Sequence, residues 1–119
     1  MNGSFVIIHI LKKSNYMKLS EIPSKEIMPG YHGKLVHAKT MSWVFWDVEE
    51  GAEVPMHHHI HEQIMHVVSG EFEFTLDNTT KIYKPGDIVI IPTNTPHGGK
   101  AITACKLMDV FSPPRDEYK

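Results

Sequence analysis

Five of the nine histidines fall within ten positions, in the stretch "PMHHHIHEQIMHVVSGEFEF" at residues 55–74. On an extended strand, alternate side chains share a face. His57 and His59 therefore point one way and His58 the other. Two imidazoles side by side make a bidentate grip for a divalent transition metal. The amide oxygen of Gln63 is a third donor. Glu62 is its rival, since carboxylate is the better ligand, and the choice turns on whether the strand bulges there. A fourth donor must come from His9, His32, His37 or His97. His97 stands out because "IPTNTPHG" ends a strand with two prolines bracketing a turn, and a rigid turn holds a ligand at a fixed angle. A strand histidine also serves as a solvated or hydrogen-bonded side chain. His61 and His66 read that way: His61 as a donor behind the ligands or a substrate contact, His66 on the opposite parity from Gln63.

A Lewis acid needs a partner that moves protons. In "AITACKLMDVF", residues 101–111, Lys106 should face water, so Cys105, Leu107, Asp109 and Phe111 face inward. An aspartate between Leu107 and Phe111 on an inner face requires a partner or a task. A structural ion pair with Arg115, the one arginine of the chain, competes with a proton-transfer role, and the latter is favoured. Cys105 reads as a small core residue. A lone thiol forms no intrachain disulfide, and no CxxC is present.

Short strands must position these groups. "KLVHA", "MSWVFWDV", "QIMHVVS", "EFEFTL", "KIYK" and "IVIIP" are separated by Gly, Pro and Asn, with residues 101–111 as the last run. "EFEFTL" alternates with period two, the mark of a half-buried strand. Residues 17–30 read as an irregular lead-in broken by Pro23 and Pro29. The fold class is all-β, a sandwich or barrel. The 119 residues suit one domain, with a barrel core at about 30–111 inside a unit of 17–119. Residues 1–16 stand apart, either as an extension upstream of a natural start at Met17 or as an extra strand laid against a second subunit. The net charge is -2 with scattered basic residues, which argues against nucleic acid or an anionic membrane as partner. "FVIIHIL" is too short to span a bilayer, and a cytoplasmic setting is the simplest reading.

The segment 51–70 resembles the first cupin motif, G-x5-H-x-H-x3,4-E-x6-G, with Gly51, His57, His59 and Gly70 in register and Gln63 at the glutamate position. Residues 86–101 resemble the second, G-x5-P-x-G-x2-H-x3-N. Gly86, Pro92 and His97 match, whereas Asn94 and Ala101 replace the motif glycine and asparagine. The resemblance implies a jelly-roll barrel, a double-stranded β-helix, with a divalent metal (Zn, Ni, Fe, Mn, Co or Cu) held by His57, His59, Gln63 and His97. It also places Gly70 and Gly86 where the chain turns with positive φ. Three imidazoles and an amide are all neutral, leaving the metal at its full charge and favouring proton-shift or ring-opening chemistry over oxygenation.

The ending "DVFSPPRDEY" is similar to KdgF-type cupins of pectin and alginate degradation. Those proteins convert 4,5-unsaturated uronates to linear 5-keto-4-deoxyuronates. That resemblance gives Asp109 the proton shuttle, Arg115 the substrate carboxylate and Phe111 an apolar wall. It implies a sugar-acid substrate, and a homodimer is expected, since an edge strand in a short open barrel invites pairing and cupin relatives commonly dimerise. The alternatives are a cupin dioxygenase and a non-catalytic carbohydrate-binding module.

Overall fold

The computed structural model describes residues 15–119; the expected strand or extension over residues 1–16 lies almost wholly outside them. After a 3-10 turn at Leu19–Glu21 come ten strands: β1 Lys25–Met28, β2 Tyr31–His37, β3 Ser42–Val48, β4 Glu53–His57, β5 Glu62–Ser69, β6 Phe72–Leu76, β7 Thr79–Tyr83, β8 Ile88–Ile91, β9 His97–Ala101 and β10 Cys105–Ser112. A second 3-10 turn, Asp116–Tyr118, follows. The strands form two sheets, one ordered β1-β2-β3-β10-β5-β8 and the other β4-β9-β6-β7. Every pairing is antiparallel. The all-β expectation holds, and no described helix is long and apolar enough to cross a membrane.

Alternation along each strand fills the space between the sheets. On β10, Cys105, Leu107, Asp109 and Phe111 are buried, while Lys106 points out and bonds Asp47 at 2.7 Å. Phe72 and Phe74 of β6 face in, as do Val44, Trp46 and Val48 of β3 and Met65 and Val67 of β5. Such burial of large apolar side chains stabilises each by about 1.5–3 kcal/mol.

Two stretches differ from the sequence reading. The lead-in contains β1, which pairs with β2 across the turn at Gly30. The run 101–111 is not one strand. Ala101 ends β9 in the small sheet and Cys105 begins β10 in the large one. Glu71 pins the corner between them: its carbonyl accepts from Ile102 N at 3.0 Å, and its N–H donates to Thr103 Oγ1 at 3.0 Å. A hydropathy pattern that stays apolar through the corner carries no sign of the change of sheet.

The outward face of the large sheet carries an apolar row. Ile90 on β8 lies opposite Ile64 on β5, Ile64 opposite Val110 on β10, and Val110 opposite Trp43 on β3. Ile64, Ile88, Ile90 and Trp43 are all exposed.

Gly70 closes the turn from β5 to β6 with φ 83°, as expected of it. A methyl group there would collide with the Ala104 carbonyl and lie 2.9 Å from Cys105 Sγ. Left-handed strain and overpacking together predict that Gly70→Ala destabilises the fold by roughly 2–4 kcal/mol. Urea denaturation checks this, and a midpoint unchanged from the parent would contradict it.

Candidate metal centre and substrate cavity

His57, His59 and His97 converge, with their ligand-capable atoms all within 4.8 Å of one another. The sequence reading set His57 and His59 along one strand. In the structure β4 ends at His57, and His59 lies in the loop beyond it. Convergence instead comes from a register shift. Val54 pairs with Gly99 and His57 with His97, so Pro55 and Met56 together oppose Gly98. This is a β-bulge, which bends the strand and re-aims a side chain. It requires glycine at residue 98, where a Cβ would sit 2.8 Å from the Val54 carbonyl oxygen and 2.9 Å from Met56 N. His59 is fixed from its backbone: its carbonyl accepts from Asn94 N at 2.8 Å. Asn94, at the motif glycine position, has φ 58°. Asparagine tolerates that conformation better than most residues.

The tautomers are set by the same loops. His57 Nδ1 bonds the Pro55 carbonyl at 2.8 Å, His97 Nδ1 the Thr95 carbonyl at 2.8 Å, and His59 Nδ1 the His61 carbonyl at 3.0 Å. A carbonyl only accepts, so each Nδ1 carries the hydrogen. In the neutral ring Nε2 then keeps its lone pair, the arrangement that metal-ligating histidines commonly show. Burial lowers the pKa of His97, and burial with Arg115 and His97 nearby lowers that of His59 to about 4. Both rings are therefore neutral and able to donate at neutral pH.

The triad lies in the wall of a cavity of about 440 Å³ that also touches Gln63, Asp109, Phe111 and Arg115. Strand parity separates the rivals on β5: Gln63 is buried and Glu62 is exposed. Gln63 Nε2 donates to Asp109 Oδ1 at 2.9 Å, and Trp46 Nε1 donates to Asp109 Oδ2 at 2.9 Å. Gln63 Oε1 is buried with no hydrogen-bond partner. An orphaned amide oxygen and three converging imidazoles in one cavity wall form a donor set that fits a divalent transition metal.

Asp109 is not ion-paired with Arg115; its two neighbours are the indole and the amide. Burial raises its pKa to about 6, against the opposing pull of the Gln63 and Trp46 hydrogen bonds. Arg115 is buried as well. Its guanidinium lies 5.1 Å from the Phe111 ring centre and 4.6 Å from that of Tyr118. Nη2 donates to Tyr118 Oη at 3.2 Å and lies 3.5 Å from Glu117 Oε2. Nη1 is 3.5 Å from His61 Nδ1, and Nε has no partner. His61 Nε2 faces the Pro114 carbonyl at 3.3 Å, so His61 braces the C-terminal segment and stands outside the triad. His66 lies on β5 opposite Ile88, away from the cavity. Cys105 is a core residue: Sγ donates to the Glu71 and Thr103 carbonyls at 3.2 Å, and burial raises its pKa.

Sequence reading missed Trp46 and Tyr118. Trp46 falls on a strongly apolar pattern and Tyr118 in a polar, proline-rich tail, and only the buried aspartate and arginine beside them reveal a polar use.

Residues 44–111 match the model of the cupin domain. The chain is 31% identical over 101 residues to the pectin degradation protein KdgF of Dickeya dadantii, covering 82% of this chain and 92% of that protein. The structure of KdgF from Halomonas sp. superposes with a TM-score of 0.82 at 31% identity, covering 87% and 97% of the two chains. An RmlC-like cupin from Shewanella frigidimarina superposes with a TM-score of 0.83 at 28% identity, covering 87% and 95%. With the two histidine motifs, the paired antiparallel sheets and these matches in agreement, the chain belongs to the cupin family.

Proposed function

We propose that this cupin opens 4,5-unsaturated uronate rings to linear 5-keto-4-deoxyuronates, with a divalent transition metal held by His57, His59, Gln63 and His97. One observation carries the reading: a buried carboxylate, a buried guanidinium and a histidine triad share one cavity. The likeness to two KdgF proteins supports the substrate class. When bound, the metal supplies Lewis-acid polarisation of a substrate oxygen.

The chain's own residues supply the rest. Arg115 is clamped between the Phe111 and Tyr118 rings and lines the cavity, so its guanidinium is placed to pair the substrate carboxylate. Phe111 gives the sugar an apolar wall. Each oxygen of Asp109 accepts one hydrogen bond and keeps a free lone pair. With its pKa near the working range, Asp109 can both take and return a proton. It takes the hydrogen of the anomeric hydroxyl; the C1–O bond to the ring oxygen breaks as the aldehyde forms, leaving an enolate at C5. Return of the proton to C4 gives the 5-keto product. Substrate and product are isomers, so no oxidant is required.

Decay of the conjugated-enol absorbance of an unsaturated galacturonate, at saturating Ni2+, tests this. The parent protein is expected to accelerate the decay, and Asp109→Asn to lower kcat by ~10²–10⁴-fold, the usual worth of a general acid or base. Arg115→Gln loses a charge-assisted hydrogen bond of about 1.5–3 kcal/mol and should raise KM on the order of 10- to 100-fold. No acceleration by the parent over buffer overturns the reading. Binding of the sugar without turnover would point to a carbohydrate-binding module, and oxygen uptake with an iron-loaded sample to a dioxygenase.

The assembly we propose is a homodimer closed by the outer face of the large sheet. The sequence reading looked to an edge strand. The row of exposed Ile90, Ile64 and Trp43 with half-buried Val110 offers an uncharged strip instead, and an isologous contact pairs such a strip with itself. Light scattering should give twice the chain mass, and Ile64→Glu, at the centre of the strip, should halve it. A monomeric parent would overturn this.

A further inference from the structure

We infer that Asp109, oriented by Trp46, decides which end of the Gln63 amide faces the histidine triad. The inference rests on reading that triad as a metal centre. In register, Asp109 on β10 lies opposite Val44 of β3 and Met65 of β5. Trp46 and Gln63 are two residues along those strands, the diagonal positions that long side chains reach across a sheet. All three side chains are buried, and each of the two bonds is 2.9 Å.

The chain of bonds has a direction. An indole N–H only donates, and an ionised carboxylate only accepts. Trp46 and Gln63 must therefore both present hydrogen to Asp109. Once Nε2 of Gln63 faces the carboxylate, Oε1 is turned away from it and left without a protein partner. Inverting the amide would set its carbonyl oxygen against a carboxylate in a buried site. Asp109 thus acts on Gln63 as a positioning residue, separately from proton transfer. The same contact accounts for an amide at the motif glutamate position. A carboxylate at residue 63 would place two acidic oxygens where an N–H···O bond of 2.9 Å now lies.

The test reads Ni2+ affinity by calorimetry, with thermal melts to check folding. In Asp109→Asn, Trp46 holds the new side-chain oxygen, so the new NH2 faces residue 63. The Gln63 amide then inverts and shows its own NH2 to the triad. Affinity should fall on the order of 10- to 100-fold, the range for groups that orient a metal ligand. In Asp109→Asn combined with Gln63→Glu, the asparagine NH2 donates to one carboxylate oxygen and the other faces the triad. Affinity should return to within a few-fold of the parent or exceed it. Asparagine is isosteric with aspartate and removes a buried charge, so both variants should fold. If the single variant does not, the double variant against Gln63→Glu alone still reads the rescue.

Parental affinity in Asp109→Asn, or a double variant that binds no more tightly than the weaker single one, overturns the inference alone. A parent that binds no Ni2+, or His57→Ala binding as the parent does, overturns the metal centre and the inference with it.

Discussion

A carboxylate between two sheets must be surrounded by hydrogen donors, and much of this barrel's interior answers that demand. Removing Asp109 from water disfavours its charged form, which raises its pKa. Donors on both neighbouring strands, Trp46 and Gln63, limit that rise. Each donor then faces a constraint of its own. Trp46 is held edge-on between Tyr31 and Tyr118, at centroid distances of 5.9 Å and 6.0 Å. Gln63 is left with an oxygen that the protein does not satisfy. The most costly polar group in the core thereby dictates the chemistry available one side chain away.

The histidines follow the opposite logic. Their Nδ1 hydrogens go to carbonyls of residues two positions away in their own loops. No distant side chain is needed to choose the tautomer. The bulge at Pro55, the prolines around Asn94 and the close approach at Gly98 are the parts that hold those loops. Rigid turns position the three histidines, and cross-strand side chains position Asp109.

That division marks what could be read before the fold was known. Period-two alternation placed Asp109, Leu107 and Phe111 inward, because strand parity is local and survives without tertiary detail. The positive φ of Gly70 and Gly86 was legible from the motif resemblance, because a turn glycine is likewise a local feature. The His57–His97 pairing was signalled by motif spacing, but the bulge that creates it depends on register between strands distant in sequence. The indole on Asp109 and the rings around Arg115 were invisible, since an apolar pattern does not say which aromatic meets a charge. The change of sheet after Ala101 was hidden too, because both sides of the corner are buried.

The cavity is therefore asymmetric, and the asymmetry constrains any ligand. One part of its wall is hydrocarbon: Met65, Phe72, Phe74 and Leu107. Another combines three imidazoles, one carboxylate oxygen pair and one cation. Under the proposed function, an anionic sugar would pair its carboxylate with the guanidinium while its ring face covered the aromatic wall. The fixed guanidinium, clamped between Phe111 and Tyr118, would set the ligand's orientation. Preorganisation of this kind lowers the entropy lost on binding. It also explains why Tyr118, beyond the last strand, belongs to the site: with Phe111 it keeps a buried cation from turning elsewhere.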